Sequence, residues 1–406
     1  MENVPAVSAA GLPRCVEGMR VGHLIQYLAI GGIERMVELL VHGLRERHGV
    51  ASSVLAYLGD GPMGARIRAA GGDVAFVPSG VGFRPVFALD VRRWLVSSRI
   101  DVVHSHHVGP FLYGSTAARL AGTPHLHTEH SVELYDVGRR RAIGRVMPRV
   151  ARVVAVSPAV ADVRTRLFGD VCEVVPNGIP IPSLPTDADV AVARGLVGVG
   201  PGAFVVGCVA RLSPEKDHDT LIRAFDGLLR LAPSVDAHLV LVGDGGERGG
   251  IEDRVATLNL GHRVHLLGSR DDLDRLWSGF DVVCLSSTRE GLPLALIEGM
   301  ASARPVVASA VGGIPALLSH GGGRCVPSQS PGELARALAD YALDPQSRAH
   351  DGLRARQTVE ARYGADRMVD RYVDLYRELL EQHRRTTAAT GWRGRLARLR
   401  IRSRTA

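Results

Sequence analysis

Short apolar stretches rich in valine, isoleucine and leucine alternate with amphipathic stretches along most of the chain. In the first half this pattern predicts strands at 21–28, 53–58, 74–77, 102–104, 125–127, 153–156 and 173–175, with helices that include 33–48 and 110–120. Nearly continuous apolar strands are typical of sheets that helices cover on both faces. Regular alternation of strands and helices indicates parallel sheets with right-handed crossovers.

The second half repeats this alternation. It predicts strands at 205–209, 238–242, 264–267, 282–285 and 306–308, with helices at 220–231, 250–258, 294–302, 331–341 and 365–383. Two such series predict an α/β chain with two doubly wound, Rossmann-like domains. Ligands of open parallel sheets bind beyond the carboxyl ends of the strands. We therefore expect a cleft where the two parallel sheets face each other, with the functional residues just after strands.

A proline-rich segment separates the two series. Residues 176–190, PNGIPIPSLPTDADV, contain four prolines, which fix φ and disfavour helix at the preceding residue. We predict an N-terminal domain at 20–190 that includes this linker, and a C-terminal domain at 191–383. Residues 1–19 are then an N-terminal extension and 384–406 a basic tail, and the last helix can return to the N-terminal domain.

The composition is that of an ordinary folded protein, with 46% hydrophobic and 22% charged residues, and it excludes a chain disordered throughout. The sequence contains no run of about 18 uncharged apolar residues, so no membrane-spanning helix is predicted. The N-terminus does not resemble a signal peptide. The five cysteines are scattered without a CxxC pair. We therefore expect neither a disulfide framework nor a structural zinc site, and a cytoplasmic location.

The net charge of +7 comes from the C-terminal tail. Residues 384–406 carry eight arginines and no acid, so the rest of the chain is nearly neutral and no nucleic-acid partner is expected. The tail also carries Trp392, and a second basic run lies at 139–141. Both suit an anionic lipid surface and predict peripheral contact with the inner face of the plasma membrane. A basic tail without a specific binding function accounts for the arginines at 384–406 equally well.

Paired glycines follow the first predicted strand. Gly31 and Gly32 allow a backbone to approach an anion closely, and the helix that follows presents free N–H groups to that anion. A tight strand-to-helix turn accounts for the pair equally well. A similar glycine turn, beginning at Gly243, follows a strand of the second half, and it reads as a cleft-lining turn or simply as a turn.

The only lysine of the chain lies in a loop after the strand at 205–209. Arg211 offers a planar fork to phosphate oxygens, and Lys216 offers a compact charge five positions later. Only one of the 49 lysine and arginine residues is a lysine. Because this chain uses arginine almost everywhere, a position that needed only surface charge would be expected to carry arginine. We predict that both cations point into one cleft and bind phosphate there.

Two carboxylates eight positions apart lie in SSTREGLPLALIEGM, after the strand at 282–285. Pro293 suits the first turn of a helix, which places Glu290 in the loop and Glu298 on the helix. Free N–H groups near this helix start can bind sugar or phosphate oxygens. Because Glu298 sits among apolar residues, it needs a strong partner, and vicinal ribose hydroxyls supply two donors.

Histidines cluster at the ends of two neighbouring strands. They are His104, His106, His107, His125, His127 and His130. A histidine at a strand end can meet a substrate hydroxyl, whereas an isolated buried histidine is more often structural. No HExxH or H-x3-H spacing is present, so no metal site is predicted.

Together these residues resemble the retaining glycosyltransferases of family 4, which have the GT-B fold. The resemblance spans residues 20–380 and is most specific in VGCVARLSPEKDHDTLIRAF, LVLVGDGGERGGIE and FDVVCLSSTREGLPLALIEGMASARPVVASAVGGIPALL. In the first half it rests on the GG-x-E turn, DVVHSHH, HLHTEHS and VPNGI. It implies a hexosyltransferase with a nucleotide diphosphate sugar as donor, a sugar or lipid-linked acceptor, and no metal or other cofactor.

The resemblance also implies a role for each candidate residue. Glu298 binds the donor ribose, Glu290 contacts the transferred sugar, and His130 is the active-site histidine near that sugar. His106 and His107 are alternatives at the rim. The residues expected to bind the donor are Gly31, Gly32, Arg211, Lys216, Gly243, Gly291, Leu292, Pro293 and Glu298. The residues expected to be catalytic are His130, Glu290, Arg211 and Lys216.

The implied reaction transfers the sugar with retention at the anomeric carbon. The diphosphate leaves while an oxocarbenium-like centre develops, so the departing charge needs electrostatic stabilisation. Asp-x-Asp pairs at 187/189, 217/219 and 272/274 do not follow strands as a metal-holding pair does, and we interpret them as surface or capping residues. The glycine turn and the EGLPLALIEGMA segment look most like those of enzymes that make polysaccharides or other cell-envelope glycans, and this resemblance implies synthesis of a cell-envelope polysaccharide or glycolipid.

Three alternatives remain open from the sequence. A glycosidase that uses Glu290 and Glu298 as an acid and nucleophile pair does not explain Arg211 and Lys216. Another GT-B enzyme, such as a sugar-nucleotide epimerase or a phosphorylase, shares the expected fold. A non-catalytic protein that binds nucleotide sugars shares the expected cleft.

Overall fold

The computed structural model describes residues 18–80, 82, 84–131 and 139–402. Residues 1–17 of the predicted extension and 403–406 of the tail lie outside these ranges. The side chains at 139–141 and from residue 389 onward are also outside the described part. The membrane contact of the two basic segments therefore stays a prediction.

The N-terminal domain is built on a seven-stranded parallel sheet. Its strands are β1 (Arg20–Tyr27), β2 (Ala51–Gly59), β3 (Asp73–Phe76), β4 (Val102–His106), β5 (His125–Glu129), β6 (Arg152–Ala155) and β7 (Glu173–Val174). Its helices are α1 (Gly32–His48), α2 (Pro62–Ala69), α3 (Phe87–Ser97), α4 (Val108–Ala121), α5 (Arg139–Val150) and α6 (Pro158–Phe168). The strand order is β3-β2-β1-β4-β5-β6-β7, so the chain reverses its direction across the sheet between β1 and β4.

The C-terminal domain has a six-stranded parallel sheet. Its strands are β8 (Phe204–Val209), β9 (Ala237–Val242), β10 (Val264–Leu266), β11 (Val282–Leu285), β12 (Val306–Ser309) and β13 (Gly323–Val326). Its helices are α7 (Asp187–Val197), α8 (His218–Leu231), α9 (Arg248–Thr257), α10 (Leu294–Ala301), α11 (Ile314–Leu318), α12 (Pro331–Leu343) and α13 (Pro345–Arg362). The order is β10-β9-β8-β11-β12-β13, with the reversal between β8 and β11. The prediction of two doubly wound, Rossmann-like domains is confirmed.

The last helix, α14 (Ala365–Arg402), packs on the first sheet although it follows the second in sequence. The Tyr372 and Tyr376 hydroxyls bond to Thr128 and His104, each at 2.8 Å. Arg371 donates to Glu173 of β7 at 2.7 Å. This helix therefore covers the N-terminal domain, and it continues past residue 383, where the sequence pattern predicts its end.

Two elements of the C-terminal domain lack a clear signal in the sequence. The helix α13 has 18 residues but few apolar positions, so no amphipathic stripe marks it. Its start is set locally, because the Asp344 side chain accepts hydrogen bonds from the backbone N–H of Gln346 and Ser347. The short strand β13 is partly exposed at the sheet edge and lacks an apolar run.

The end of the 176–190 stretch that we predict as the linker is helical. The helix α7 begins at Asp187, where Thr186 and Asp189 form a capping box. Its residues pack against the short turn Trp277–Gly279 of the C-terminal domain. Within the described ranges, no helix is both long enough and apolar enough to cross a membrane.

Replacing Arg164 by methionine should destabilise the N-terminal domain by about 3–5 kcal/mol. The fully buried guanidinium donates to Glu129 at 3.1 Å and to Asp170 at 2.7 Å, so its loss leaves buried carboxylate charge without this cation. Urea unfolding measures the change. The matched control is Arg166→Met on the exposed side of the same helix α6, for which we expect less than about 0.5 kcal/mol. Equal destabilisation by Arg164→Met and Arg166→Met would contradict the stabilising role that we assign to the buried ion pairs of Arg164.

Candidate active site

Five of the predicted site residues lie beyond strands at which a sheet reverses its order. Gly31 and Gly32 follow β1, Arg211 and Lys216 follow β8, and Glu290 follows β11. Ligands of doubly wound sheets bind at such reversals, beyond the carboxyl ends of the strands. These loops thus lie at the carboxyl edges of the two sheets, where ligands of such sheets bind.

The N-terminus of α1 meets the C-terminal domain at the glycine pair. A Cβ atom on Gly32 would lie 3.9 Å from Cδ1 of Leu294, the first residue of α10. Gly31 is the N-cap of α1, and a Cβ there would lie 2.3 Å from Oε2 of Glu34. The free N–H groups of the 17-residue helix α1 therefore face the cleft between the domains.

Glu34 is a charged residue of the cleft for which the sequence motifs gave no role. Burial raises the pKa of its carboxyl, while a hydrogen bond from its own backbone N–H and the charge of Arg211 act in the opposite direction. Burial lowers the pKa of the His107 imidazole, because it disfavours the charged form, and the positive charge of Arg211 lowers this pKa further. The charge of Arg211, in the loop after β8, therefore acts on two groups of the N-terminal domain.

Lys216 and Glu290 form an ion pair that joins two loops of the C-terminal domain. The Nζ of Lys216 lies 2.5 Å from Oε1 of Glu290, and the Ser287 hydroxyl donates to the same oxygen at 2.7 Å. The Ser286 hydroxyl donates to the backbone carbonyls of Lys216 and Asp217, at 3.0 and 2.8 Å. The lysine side chain is 20% exposed and that of Glu290 is 8% exposed, so the pair is only partly shielded from solvent.

The loop that carries Arg211 rests against the turn at Gly243. This glycine has φ +140°, and a Cβ there would lie 1.9 Å from the carbonyl oxygen of Ala210. Only glycine fits such a close approach. Gly243 therefore acts through the backbone and fixes the loop beside Arg211.

The loop before α10 contacts the N-terminal domain and the linker. A Cβ on Gly291 would lie 2.0 Å from the carbonyl oxygen of His130. The Asn177 side chain donates to the carbonyl of Leu292 at 3.2 Å, and Pro293 precedes the first residue of α10. These contacts bring His130 and the Gly291–Pro293 loop together across the domain boundary.

Glu298 lies on α10 and lines a cavity of ≈ 540 Å³ together with Arg35, Asp274 and linker prolines. Burial raises the pKa of Glu298 to about 7, and the charge of Arg35 partly opposes this shift. The carboxyl group can therefore change its charge near neutral pH. Because this carboxyl group lines the cavity, it is available to a ligand with two hydroxyl donors.

His130 follows β5, and its ring is partly buried. Burial lowers its pKa to about 3, with a further contribution from His107, so the ring is neutral at physiological pH. Its Nε2 lies 3.4 Å from Nδ1 of His106. His104, His106, His125 and His127 are buried inside the sheet, so His106 does not lie at the cleft rim as the resemblance implies.

Within the described residues, one group could hold a metal ion. His23, His104 and His106 bring one ring nitrogen each within 4.8 Å of the others, deep in the N-terminal sheet. The Asp-x-Asp pairs have local roles instead. Asp189 caps α7, and Asp217 accepts from the Thr220 backbone at the start of α8.

This arrangement can bind a diphosphate between two domains. The charge of Arg211 acts on Glu34 and His107 of the N-terminal domain, Lys216 pairs with Glu290, and the N-terminus of α1 lies beside Leu294 of α10. Such fixed charges stabilise an anionic leaving group without reorganisation during the reaction.

Comparisons with known proteins identify the family of this chain. The model of group 1 glycosyl transferases matches residues 203–344, and that of glycosyltransferase family 4 matches residues 30–181. A D-inositol 3-phosphate glycosyltransferase from Saccharomonospora viridis is 30% identical over 311 residues, which cover 70% of this chain and 72% of the relative.

Solved structures share the fold. HepE from Anabaena, in complex with UDP and glucose, superposes with a TM-score of 0.78 at 24% identity, over 88% of this chain and 99% of that chain. Sucrose-phosphate synthase from Thermosynechococcus elongatus gives 0.74 at 22% identity, over 90% and 100%. The family matches and the curated relative together confirm the resemblance in the sequence: the chain belongs to glycosyltransferase family 4 and is a glycosyltransferase with the GT-B fold.

Proposed function

We propose that this enzyme moves a hexose-type sugar from a nucleotide diphosphate sugar to an acceptor hydroxyl, with retention at the anomeric carbon and without a metal. The observation that supports the proposal is the placement of three positive groups after the strands where the sheets reverse: Arg211 and Lys216 follow β8, and the N-terminus of α1 follows β1. Three positive groups from two domains match the charge of a leaving diphosphate. A glycosidase has no use for them.

The residues divide the work between the two ends of the donor. Glu298 accepts hydrogen bonds from the ribose hydroxyls, and Arg211 and Lys216 neutralise the diphosphate as the sugar bond breaks. Glu290 then receives hydroxyl donors of the transferred sugar, and its present partner Lys216 turns to the phosphate. The N–H groups of Gly291 and Leu292 can add hydrogen bonds, whereas Pro293 has no N–H and shapes the turn.

Closure of the two domains is part of the proposed mechanism. The glycine pair and the cations come from different domains, so the diphosphate meets all of them only in the closed form. Closure also excludes water, which limits wasteful hydrolysis of the donor.

A thermal-shift screen with UDP and GDP tests the donor class. We expect one of the two diphosphates to raise Tm in a concentration-dependent manner and the matching nucleoside to do so much less. The sugar is then found by incubating the corresponding nucleotide sugars with acceptors and measuring release of the diphosphate. No stabilisation by either diphosphate contradicts the proposal.

The acceptor is proposed to be a sugar or lipid-linked intermediate of a cell-envelope polysaccharide or glycolipid, used at the inner face of the plasma membrane. The name of the Saccharomonospora relative supports a second candidate, an inositol phosphate. Parallel assays with D-inositol 3-phosphate and with a polyprenyl-linked sugar distinguish them. Pelleting with anionic vesicles tests the membrane contact, and no binding contradicts it.

Affinity for the nucleotide sugar identified in this way should increase as the pH rises from about 6 to about 8. Because burial raises the pKa of Glu298 to about 7, its carboxyl group is mostly protonated at the lower pH and mostly ionised at the higher. The ionised form accepts hydroxyl donors more strongly, and the ionised fraction rises by about 10-fold over this range. Calorimetric titration measures Kd. The Glu298→Gln variant should bind weakly and without this slope, and a slope retained in the variant contradicts the assignment.

A further inference from the structure

Three histidine rings form a line from the interior of the N-terminal sheet to the cleft. The Nε2 of His130 lies 3.4 Å from Nδ1 of His106, and the Nε2 of His106 lies 3.4 Å from Nδ1 of His23. His23 and His106 are fully buried, and only His130 is partly exposed. A residue in the core is thus linked to the residue that faces the transferred sugar.

The strand register explains why these rings meet. His23 of β1 pairs with His104 of β4, and His106 lies two positions further on the same face of β4. His106 in turn pairs with Thr128 of β5, two positions before His130. Side chains two apart share a face of a strand, so all of them lie on the face that α14 covers.

His104 is not part of this line. Its Nδ1 bonds to the Tyr376 hydroxyl at 2.8 Å and its Nε2 to the Thr128 hydroxyl at 2.7 Å. Both nitrogens are thus occupied by good hydrogen bonds. A metal bound by His23, His104 and His106 would have to break one of them, which favours hydrogen bonds over a metal here.

Each neutral ring carries one proton, so the line can point in only two directions. Burial keeps His23, His106 and His130 neutral. Within the described chain, Nε2 of His23 is buried and has no hydrogen-bond partner. A buried N–H without a partner is rare, so this nitrogen is the unprotonated one. His23 then donates from Nδ1 to His106, and His106 donates from Nδ1 to His130.

We propose that His23 and His106 are positioning residues that hold His130 with its proton on Nδ1, so that His130 donates a hydrogen bond to a hydroxyl of the transferred sugar. In this orientation His130 does not act as a base. The proposal rests on the proposed function, because that function places the sugar beside His130.

Nuclear magnetic resonance of protein labelled with ¹⁵N at histidine tests the tautomer directly. Long-range couplings between ring protons and nitrogens show which nitrogen is protonated, and His130→Gln identifies the signal. We expect His130 of the wild-type enzyme to carry its proton on Nδ1 only. In His106→Leu we expect this tautomer no longer to be the single form of His130. Nε2–H at His130 in the wild type overturns the proposal. The spectrum is recorded without substrate, so the tautomer result does not depend on sugar transfer. If the enzyme transferred no sugar, the proposed function would be wrong, but the tautomer of His130 would still be established.

Kinetics separate positioning from a structural effect. His106→Leu should lower kcat by about 10–100-fold with little change in the donor KM, and His106→Gln should recover part of the loss. The control is His125→Leu, an equally buried histidine on the opposite face of β5 that bonds to Ser105. Equal kcat in the two leucine variants overturns the proposal. Metal analysis of the purified enzyme adds a further check, since one bound metal per chain that His23→Leu removes also overturns it.

Discussion

Replacing Lys216 by methionine is expected to lower kcat by about 10²–10³-fold. The ammonium lies 2.5 Å from Glu290, the carboxylate that we propose contacts the sugar, and methionine keeps most of the length of the lysine side chain without its charge. The leaving diphosphate gains negative charge in the transition state, so the loss should fall mainly on kcat and less on the donor KM. Steady-state release of the diphosphate measures both constants.

The control for Lys216 removes a cation from the same domain outside the cleft. Arg230 lies on the exposed side of α8, where it pairs with Asp226, and Arg230→Met should leave kcat unchanged. An unchanged kcat in Lys216→Met contradicts the role assigned to this residue. A large rise in KM alone would mean that Lys216 binds the donor without assisting departure.

Glu290→Ala should lower kcat by about 10³-fold or more, while binding of UDP remains within about 3-fold of wild type. Glu290 is proposed to contact the sugar and not the nucleotide. Removing it also frees Lys216 from its ion pair, which favours phosphate binding and helps to preserve the affinity. Calorimetry with UDP and turnover with the nucleotide sugar measure the two effects.

Two further variants sharpen the test of Glu290. Glu290→Gln keeps the shape and the bond from Ser287 but not the charge, and it should recover little activity if the charge is needed. Glu247→Gln, an exposed glutamate before α9, is the matched control and should behave as wild type. Turnover of Glu290→Ala near the wild-type rate contradicts the assignment.

Much of the fold is predictable because its strands are buried and uniform. Strands such as β8 and β11 are continuous apolar runs, and glycine or proline marks the turns that follow. The helix α13 escapes prediction because it has few buried positions and depends on a cap at Asp344. The return of α14 to the first domain depends on contacts made over more than two hundred residues, such as His104 with Tyr376.

The candidate site is partly predictable for a similar reason. Arg211, Lys216 and Glu290 each follow a strand, so their position at a sheet edge follows from the α/β pattern. Their pairing does not, because Lys216 and Glu290 are 74 positions apart in the chain. The role of His23 depends on the register of β1 against β4, which no local motif records.

A crystal structure of the enzyme with bound UDP tests the central claim most directly. We predict that the β-phosphate lies between the domains, within hydrogen-bonding distance of Arg211 and Lys216, and that the N–H of Gly32 points toward it. The ribose hydroxyls should meet Glu298. A diphosphate bound elsewhere, with the two cationic side chains directed away from it, would contradict the account.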